Sequence, residues 1–326
     1  MNPIGGEIAI KDNDEKSYLT DSGRSSLRLF LRSNDFTNKH FLIPNFICSI
    51  IIDILQEENI NYTFYNINED FSIDYNSFDK SNFDVFYVIN FFGINSDLTP
   101  LSFDTKTLIE DNVFQYNFKN NHNAKKWFAF NSFRKISPLT DGSLIKTNLK
   151  IDSSLIINEP APYYTLKKKA CSIKFAFLME NKFSEKEYLS LFQDGEKEID
   201  KQKEIYSISN DSLNSLFKED YNIQDVLKKR YNKLIKTFET INLHPAYYSF
   251  FPLSISNKNA FFQEMKKKNI FLPNFWPKSS QNNNLYTNLV VIPLFYNYSD
   301  SEFNLNTNFE WARKSTPPFR LTMPVL

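Results

Sequence analysis

The sequence predicts an α/β protein: a large domain with a mostly parallel sheet flanked by helices, followed by a smaller C-terminal α+β domain. Three observations carry this prediction. From about residue 20 to residue 150 helical and strand-like segments alternate with short connections, as in sheets whose strands are joined through covering helices. FDVFYVINFFG (83–93) is an almost unbroken apolar run, the mark of a strand buried on both faces. Past residue 205 the pattern changes to a long amphipathic stretch and then separated short strands. The boundary is set at 1–200 for the large domain and 201–326 for the small one, with the N-terminal segment free to pack on the small domain.

In chain order, SSLRLFLRS reads as a helix and FLIPNF as a strand leading into the helix FICSIIIDILQEEN. YTFYNIN and the run at 83–93 are the next strands, followed by TLIEDNVFQ, WFAFNSF and SLIKTN. EPAPYY reads as a Pro-containing loop, and a helix starts near Ser184. Beyond it, SNDSLNSLFKEDYNIQDVLKKRYNKLIKTFETI is helical, YYSFFPLSI and NLVVIPLFY are strands, and FFQEMKKKNI between them has helical spacing.

Composition narrows the function. Lys plus Arg and Asp plus Glu number 38 each, so no bulk field favours nucleic acid or an anionic membrane. With 41% hydrophobic and 16% aromatic residues the chain buries a large core, yet no apolar run approaches the roughly 20 residues of a membrane span. The polar start MNPIGGEIAIKDNDEK lacks the apolar core of a signal peptide, and a cytoplasmic protein is expected. Cys48 and Cys171 do not make a disulfide framework; His40, His122 and His244 are scattered, and no metal site is expected. Only six glycines occur, so each is expected to hold a backbone position that a Cβ would spoil.

Three segments carry candidate chemistry. Ser22-Gly23-Arg24-Ser25 stands just before a helix, where free N–H groups and the helix dipole suit a phosphate; the same residues also suit an ordinary N-cap. Asp111 closes an apolar strand at the sheet edge where open α/β sheets bind ligands, and reads either as a solvated turn residue or as a carboxylate that keeps a pyridine nitrogen protonated. Lys135 follows a short apolar strand, ahead of the Asp141-Gly142 turn. Most lysines are surface charges, but one desolvated beside a second cation such as Arg134 is a nucleophilic amine.

Taken in order, these segments resemble the DegT/StrS sugar aminotransferase family, and specifically short members with an R-K before a P-x-x-D-G turn. GGEIAI resembles the family's opening, SGRSSL its phosphate-binding turn, LIPNFICSIIIDIL its Pro-containing strand and helix, YTFYNINEDFSID and VINFFG the strands that follow, and IEDNVFQ and SFRKISPLTDGSLIKT its aspartate and lysine motifs. Gly23, Gly93 and Gly142 fall where that pattern has glycine. The likeness continues through Arg230-Tyr231-Asn232, NIFLPNFWP and LVVIPLFYNYSD, and so covers nearly the whole chain.

The resemblance implies the type I fold of pyridoxal 5'-phosphate (PLP) enzymes, with Lys135 carrying PLP, Asp111 at the pyridine nitrogen, and Gly23, Arg24, Ser25 and Ser132 at the phosphate. Cys48 stands where the family often has an aromatic ring over the cofactor, with Phe46 as a substitute ring. Asn90 stands in place of a His, and Phe114 in place of a Gln or His, with Gln115 one residue later. The N-Y-R segment that reaches the partner's site is not recognisable. The implied activity is transfer of an amino group from a donor such as glutamate to a keto or aldehyde acceptor, a small molecule of the nucleotide-linked keto-sugar kind used in surface polysaccharides, by a homodimer. Decarboxylation or elimination on a small amine precursor uses the same electron sink, and a non-catalytic homologue is the reading of a different class.

Overall fold

The computed structural model of the chain describes residues 16–119, 122–180, 182–216, 223–238, 240, 242–267, 272–276 and 283–294. Seven of its strands form one sheet: β1 (Lys16–Thr20), β2 (His40–Pro44), β3 (Asn61–Tyr65), β4 (Val85–Ile89), β5 (Thr107–Asp111), β6 (Lys126–Phe130) and β7 (Ser143–Thr147). Their spatial order is β1-β7-β6-β5-β4-β2-β3. The pairs from β6 through β5, β4 and β2 to β3 are parallel, while β7 lies antiparallel between β6 and β1. The mostly parallel sheet predicted from sequence is therefore present, with β1 an edge strand that the sequence reading did not contain.

The apolar runs explain the layering. All five residues of β4 are buried, as are four of five in β2 and in β6, so these strands need cover on both faces. Helices α1 (Gly23–Ser33), α2 (Ser49–Glu57) and α3 (Phe133–Ile136) each follow a strand. Gly142, at φ +111, makes the turn into β7, and Gly93, at φ +84, the turn after β4; both angles are costly for a residue with a Cβ.

Residues 151–216 depart from expectation. EPAPYY is not simply a loop: Pro162 opens α4 (Pro162–Glu180), which packs along α5 (Glu185–Lys201). The Ser184 start of α5 is as read, with a Ser184/Glu187 capping box. Two short parallel strands, β8 (Ile156–Ile157) and β9 (Ile205–Tyr206), bring the chain back beside the sheet, where the Tyr206 carbonyl accepts from the Asp21 N–H at 3.0 Å. The long helical stretch resolves into α6 (Asn210–Leu216) and α7 (Ile223–Phe238). Leu227, Tyr231, Leu234 and Phe238 form the buried stripe of α7. They share a second core with β10 (Phe250–Ser254), α8 (Lys258–Lys267) and β11 (Leu289–Pro293), the last preceded by α9 (Leu285–Asn288). The strand, helix, strand unit expected there is formed, with β10 and β11 antiparallel. GGEIAI at 5–10 and the tail of LVVIPLFYNYSD past 294 lie outside the described residues.

Candidate active site

The cavity that gathers the sequence candidates opens where β4, β5 and β6 end. It holds about 380 Å³, within the roughly 300–1,000 Å³ usual for small-molecule sites. Gly23, Arg24, Cys48, Asp111, Ser132 and Lys135 all line it, together with Arg134, Glu196, Phe275 and Trp276, which the sequence reading did not place there as ligands.

Asp111 is the last residue of β5 and is 3% exposed. The Tyr87 hydroxyl donates to its Oδ2 at 2.7 Å and the Val113 N–H to its Oδ1 at 3.1 Å. Burial pushes its pKa above the ordinary carboxylate value, while the Lys135 charge, Tyr87 and Val113 pull the other way. Lys135 sits in the single turn of α3, and its backbone N–H donates to the Ser132 carbonyl at 3.1 Å. Burial lowers its amine pKa; Cys48 and Asp111 raise it, Arg134 and Arg24 lower it further. Among the described residues no group hydrogen-bonds its Nζ, which lies 5.6 Å from the Phe114 ring centre. The amine thus feels the Asp111 carboxylate as well as the Arg134 and Arg24 guanidinium groups.

The start of α1 lines the same cavity. Ser22 caps it, its Oγ accepting from the Ser25 N–H at 3.2 Å. Gly23 packs against β6: a Cβ there would meet the Asn131 carbonyl oxygen at 3.1 Å and the Phe130 ring at 3.3 Å. The Arg24 guanidinium donates through Nη1 to the Ile199 carbonyl at 2.9 Å and to Asp200 Oδ1 at 2.6 Å. Ser25 is fully buried, accepts from Gln202 Nε2 at 3.2 Å, and does not line the cavity.

The remaining candidates are set apart. Phe46 is buried among the rings of Trp276 and Tyr286, each at 4.9 Å, and it is Trp276 that reaches the cavity wall. Phe114 lies behind Lys135 in an aromatic cluster with Phe92, Phe250 and Phe275. Asn90 faces the opposite side: its Nδ2 donates to Asn112 Oδ1 at 2.6 Å, in a separate polar cavity of about 590 Å³ that also includes Gln115. Strand alternation accounts for this, since Ile89 pairs with Asp111 and shares its face, so Asn90 takes the other. The same rule makes Tyr87, two residues before Ile89, a neighbour of Asp111, a signal that the sequence contains. Glu196 has no such signal, because it reaches the site only through the packing of α5.

An amine without a hydrogen-bond partner among the described residues, a buried carboxylate held by two donors, and a helix start flanked by cations fit PLP: the amine for its aldehyde, the carboxylate for its ring nitrogen, the helix start for its phosphate. No protein-family model and no curated protein matches the chain. Solved structures do. Spr1654 from Streptococcus pneumoniae, assigned as a sugar aminotransferase and solved in its PMP form, is 13% identical over 91% of this chain and 88% of its own, with a TM-score of 0.58. The 3-amino-5-hydroxybenzoic acid synthase gives 12% identity, coverage of 92% and 86%, and a TM-score of 0.58. A DegT DnrJ EryC1 StrS aminotransferase from Brucella abortus gives 12%, 91% and 86%, and 0.57. The chain therefore has the type I fold of PLP-dependent aminotransferases.

Proposed function

We propose that the chain is a PLP-dependent aminotransferase that moves an amino group from a donor such as glutamate to a keto or aldehyde acceptor, a nucleotide-linked keto sugar being the favoured class. The observation that carries this reading is the Lys135 amine, with no hydrogen-bond partner among the described residues, lining one cavity with buried Asp111 and the start of α1. PLP, when bound, supplies an electron sink for negative charge at the substrate carbon.

The chain's own residues would do the rest. Lys135, its pKa lowered by burial, serves as the free amine that holds the cofactor and then moves the proton at the substrate carbon. Asp111, steadied as an anion by Tyr87 and Val113, holds a proton on the pyridine nitrogen. The main chain at Gly23 and Arg24, with Ser132, binds the phosphate, while Cys48 and Trp276 form the walls. We further propose a homodimer, checked by light scattering, and a division into two domains near residue 200.

Titration with PLP tests the reading. The wild type is expected to develop a visible absorbance band that Lys135→Ala lacks, and added glutamate is expected to convert that band to the pyridoxamine spectrum. A band absent from both proteins sinks the proposal; a band that glutamate does not discharge turns it toward another PLP reaction.

A further inference from the structure

Arg134, immediately before the proposed PLP lysine, has one nitrogen of its guanidinium tied and another without a partner among the described residues. Its Nη1 donates to Glu196 Oε1 at 3.1 Å. Its Nε is sealed from solvent and has no hydrogen-bond partner among the described residues, although Arg134 lines the Lys135 cavity. A charged donor desolvated without an acceptor is costly to keep, and a planar guanidinium is shaped to bind an oxyanion through two N–H groups at once.

The surroundings carry a surplus of positive charge. Arg24, Arg134 and Lys167 gather around Glu196, and the other acidic partner, Asp200, is 59% exposed. Lys167 is itself buried, 8% exposed, and pairs with the same Glu196 Oε1. The seating of Glu196 is built into the helices: a Cβ on the preceding Gly195 would meet Lys167 Cγ at 2.8 Å, so only glycine lets α5 lie this close to α4. Three cations thus meet one carboxylate lining the cavity and one exposed carboxylate, which leaves room for a further anion.

We propose that Arg134 is a ligand for the phosphate of the cofactor, and that Glu196 is a resident carboxylate that holds Arg134 in place and competes with that phosphate for it. This rests on the PLP reading above and adds to it a specific phosphate receptor outside the α1 start.

The test compares dissociation constants for PLP and for pyridoxal, which has the same aldehyde and no phosphate, by titration of visible absorbance. Arg134→Met is expected to weaken PLP relative to pyridoxal roughly tenfold or more, the ratio cancelling any change in the Lys135 amine common to both aldehydes, as fits loss of a charge-assisted bidentate contact. Arg134→Lys, which keeps the charge and the fold but not the fork, is expected to fall between. Glu196→Gln keeps an acceptor for Arg134 and Lys167 and removes the negative charge, so it is expected to tighten PLP relative to pyridoxal about threefold or more. Equal PLP-to-pyridoxal ratios in wild type, Arg134→Lys and Arg134→Met overturn the role of Arg134. Unchanged or weaker PLP binding relative to pyridoxal in Glu196→Gln overturns the competition. If the wild type binds neither aldehyde, the failure lies with the PLP reading itself.

Discussion

Asp111 and Asp141 are both buried carboxylates, both lie on loops or strand ends beside the sheet, and burial raises the pKa of each. Their surroundings differ. Asp141 accepts from the Ser209 N–H and Ser209 Oγ, each at 2.8 Å, and from Ser212 Oγ, so it ties the start of α6 to the turn before β7. Burial and these serine donors are the largest influences on it. Asp111 has two donors, a lysine amine whose charge acts on it, and a cavity in front. Burial and a raised pKa therefore do not by themselves mark a site; an unfinished environment does.

The largest expected effect separates the two carboxylates by function. Asp111→Asn removes the group that holds the ring proton, and the rate of glutamate-dependent conversion to the pyridoxamine form is expected to fall by about 10²–10⁴, the range for a lost proton-transfer partner. The same change replaces a carboxylate that burial disfavours with a neutral amide, so the urea midpoint of the cofactor-free protein is expected to hold or rise. A variant that loses stability and keeps its conversion rate would reverse the distinction.

Asp141→Asn is expected to do the opposite. It turns one acceptor oxygen into a donor facing serine groups, at a cost of about 2 kcal/mol in urea unfolding, while conversion per folded molecule stays at the wild-type value. Loss of conversion without loss of stability would move Asp141 into the site.

The same pair shows what the sequence made legible. Asp111 and Lys135 were readable because the first ends a short apolar strand and the second closely follows one, and strand ends of a parallel sheet converge on one edge. Asp141 read as a turn residue beside Gly142, since nothing local announces that Ser209 and Ser212, some seventy positions on, will wrap it. Helix α4 was not legible for a related reason: Tyr163 and Ala170 are buried while Phe175 and Met179 are 60% and 71% exposed, so its apolar residues do not keep to one face. Nothing local marks Glu196, and only the approach of α5 to α4 at Gly195 joins it to Lys167 and Arg134.

Tyr87→Phe sharpens the comparison on the Asp111 side alone. It removes the 2.7 Å donor and leaves the ring in place, so the carboxylate becomes harder to ionise. A loss of about 1 kcal/mol, roughly fivefold in the conversion rate, is expected, with the optimum moved to higher pH. An unchanged rate and optimum would mean that Asp111 does not act as an anion.

The smallest effect concerns acid stability, where Glu196 opposes both aspartates in sign. Its carboxyl, surrounded by Arg134, Lys167 and Arg24, is held down to about 2 from the ordinary 4.5 although burial works against this. A depressed folded pKa gives stability that is complete above 4.5 and is lost as the pH falls from there toward 2. Asp111 and Asp141, raised in the folded chain, contribute stability that is present below the ordinary carboxylate value and is lost as the pH rises through their folded values. Glu196→Gln is therefore expected to flatten the fall in urea midpoint between pH 4.5 and about 2, whereas Asp111→Asn is expected to remove part of the gain on acidification from neutral pH. Because the Glu196 side chain is 46% exposed, solvent screens its pairs and the flattening is expected to be slight. Parallel slopes for wild type and Glu196→Gln below pH 4.5 would mean that its cations do not hold the carboxylate in the folded chain.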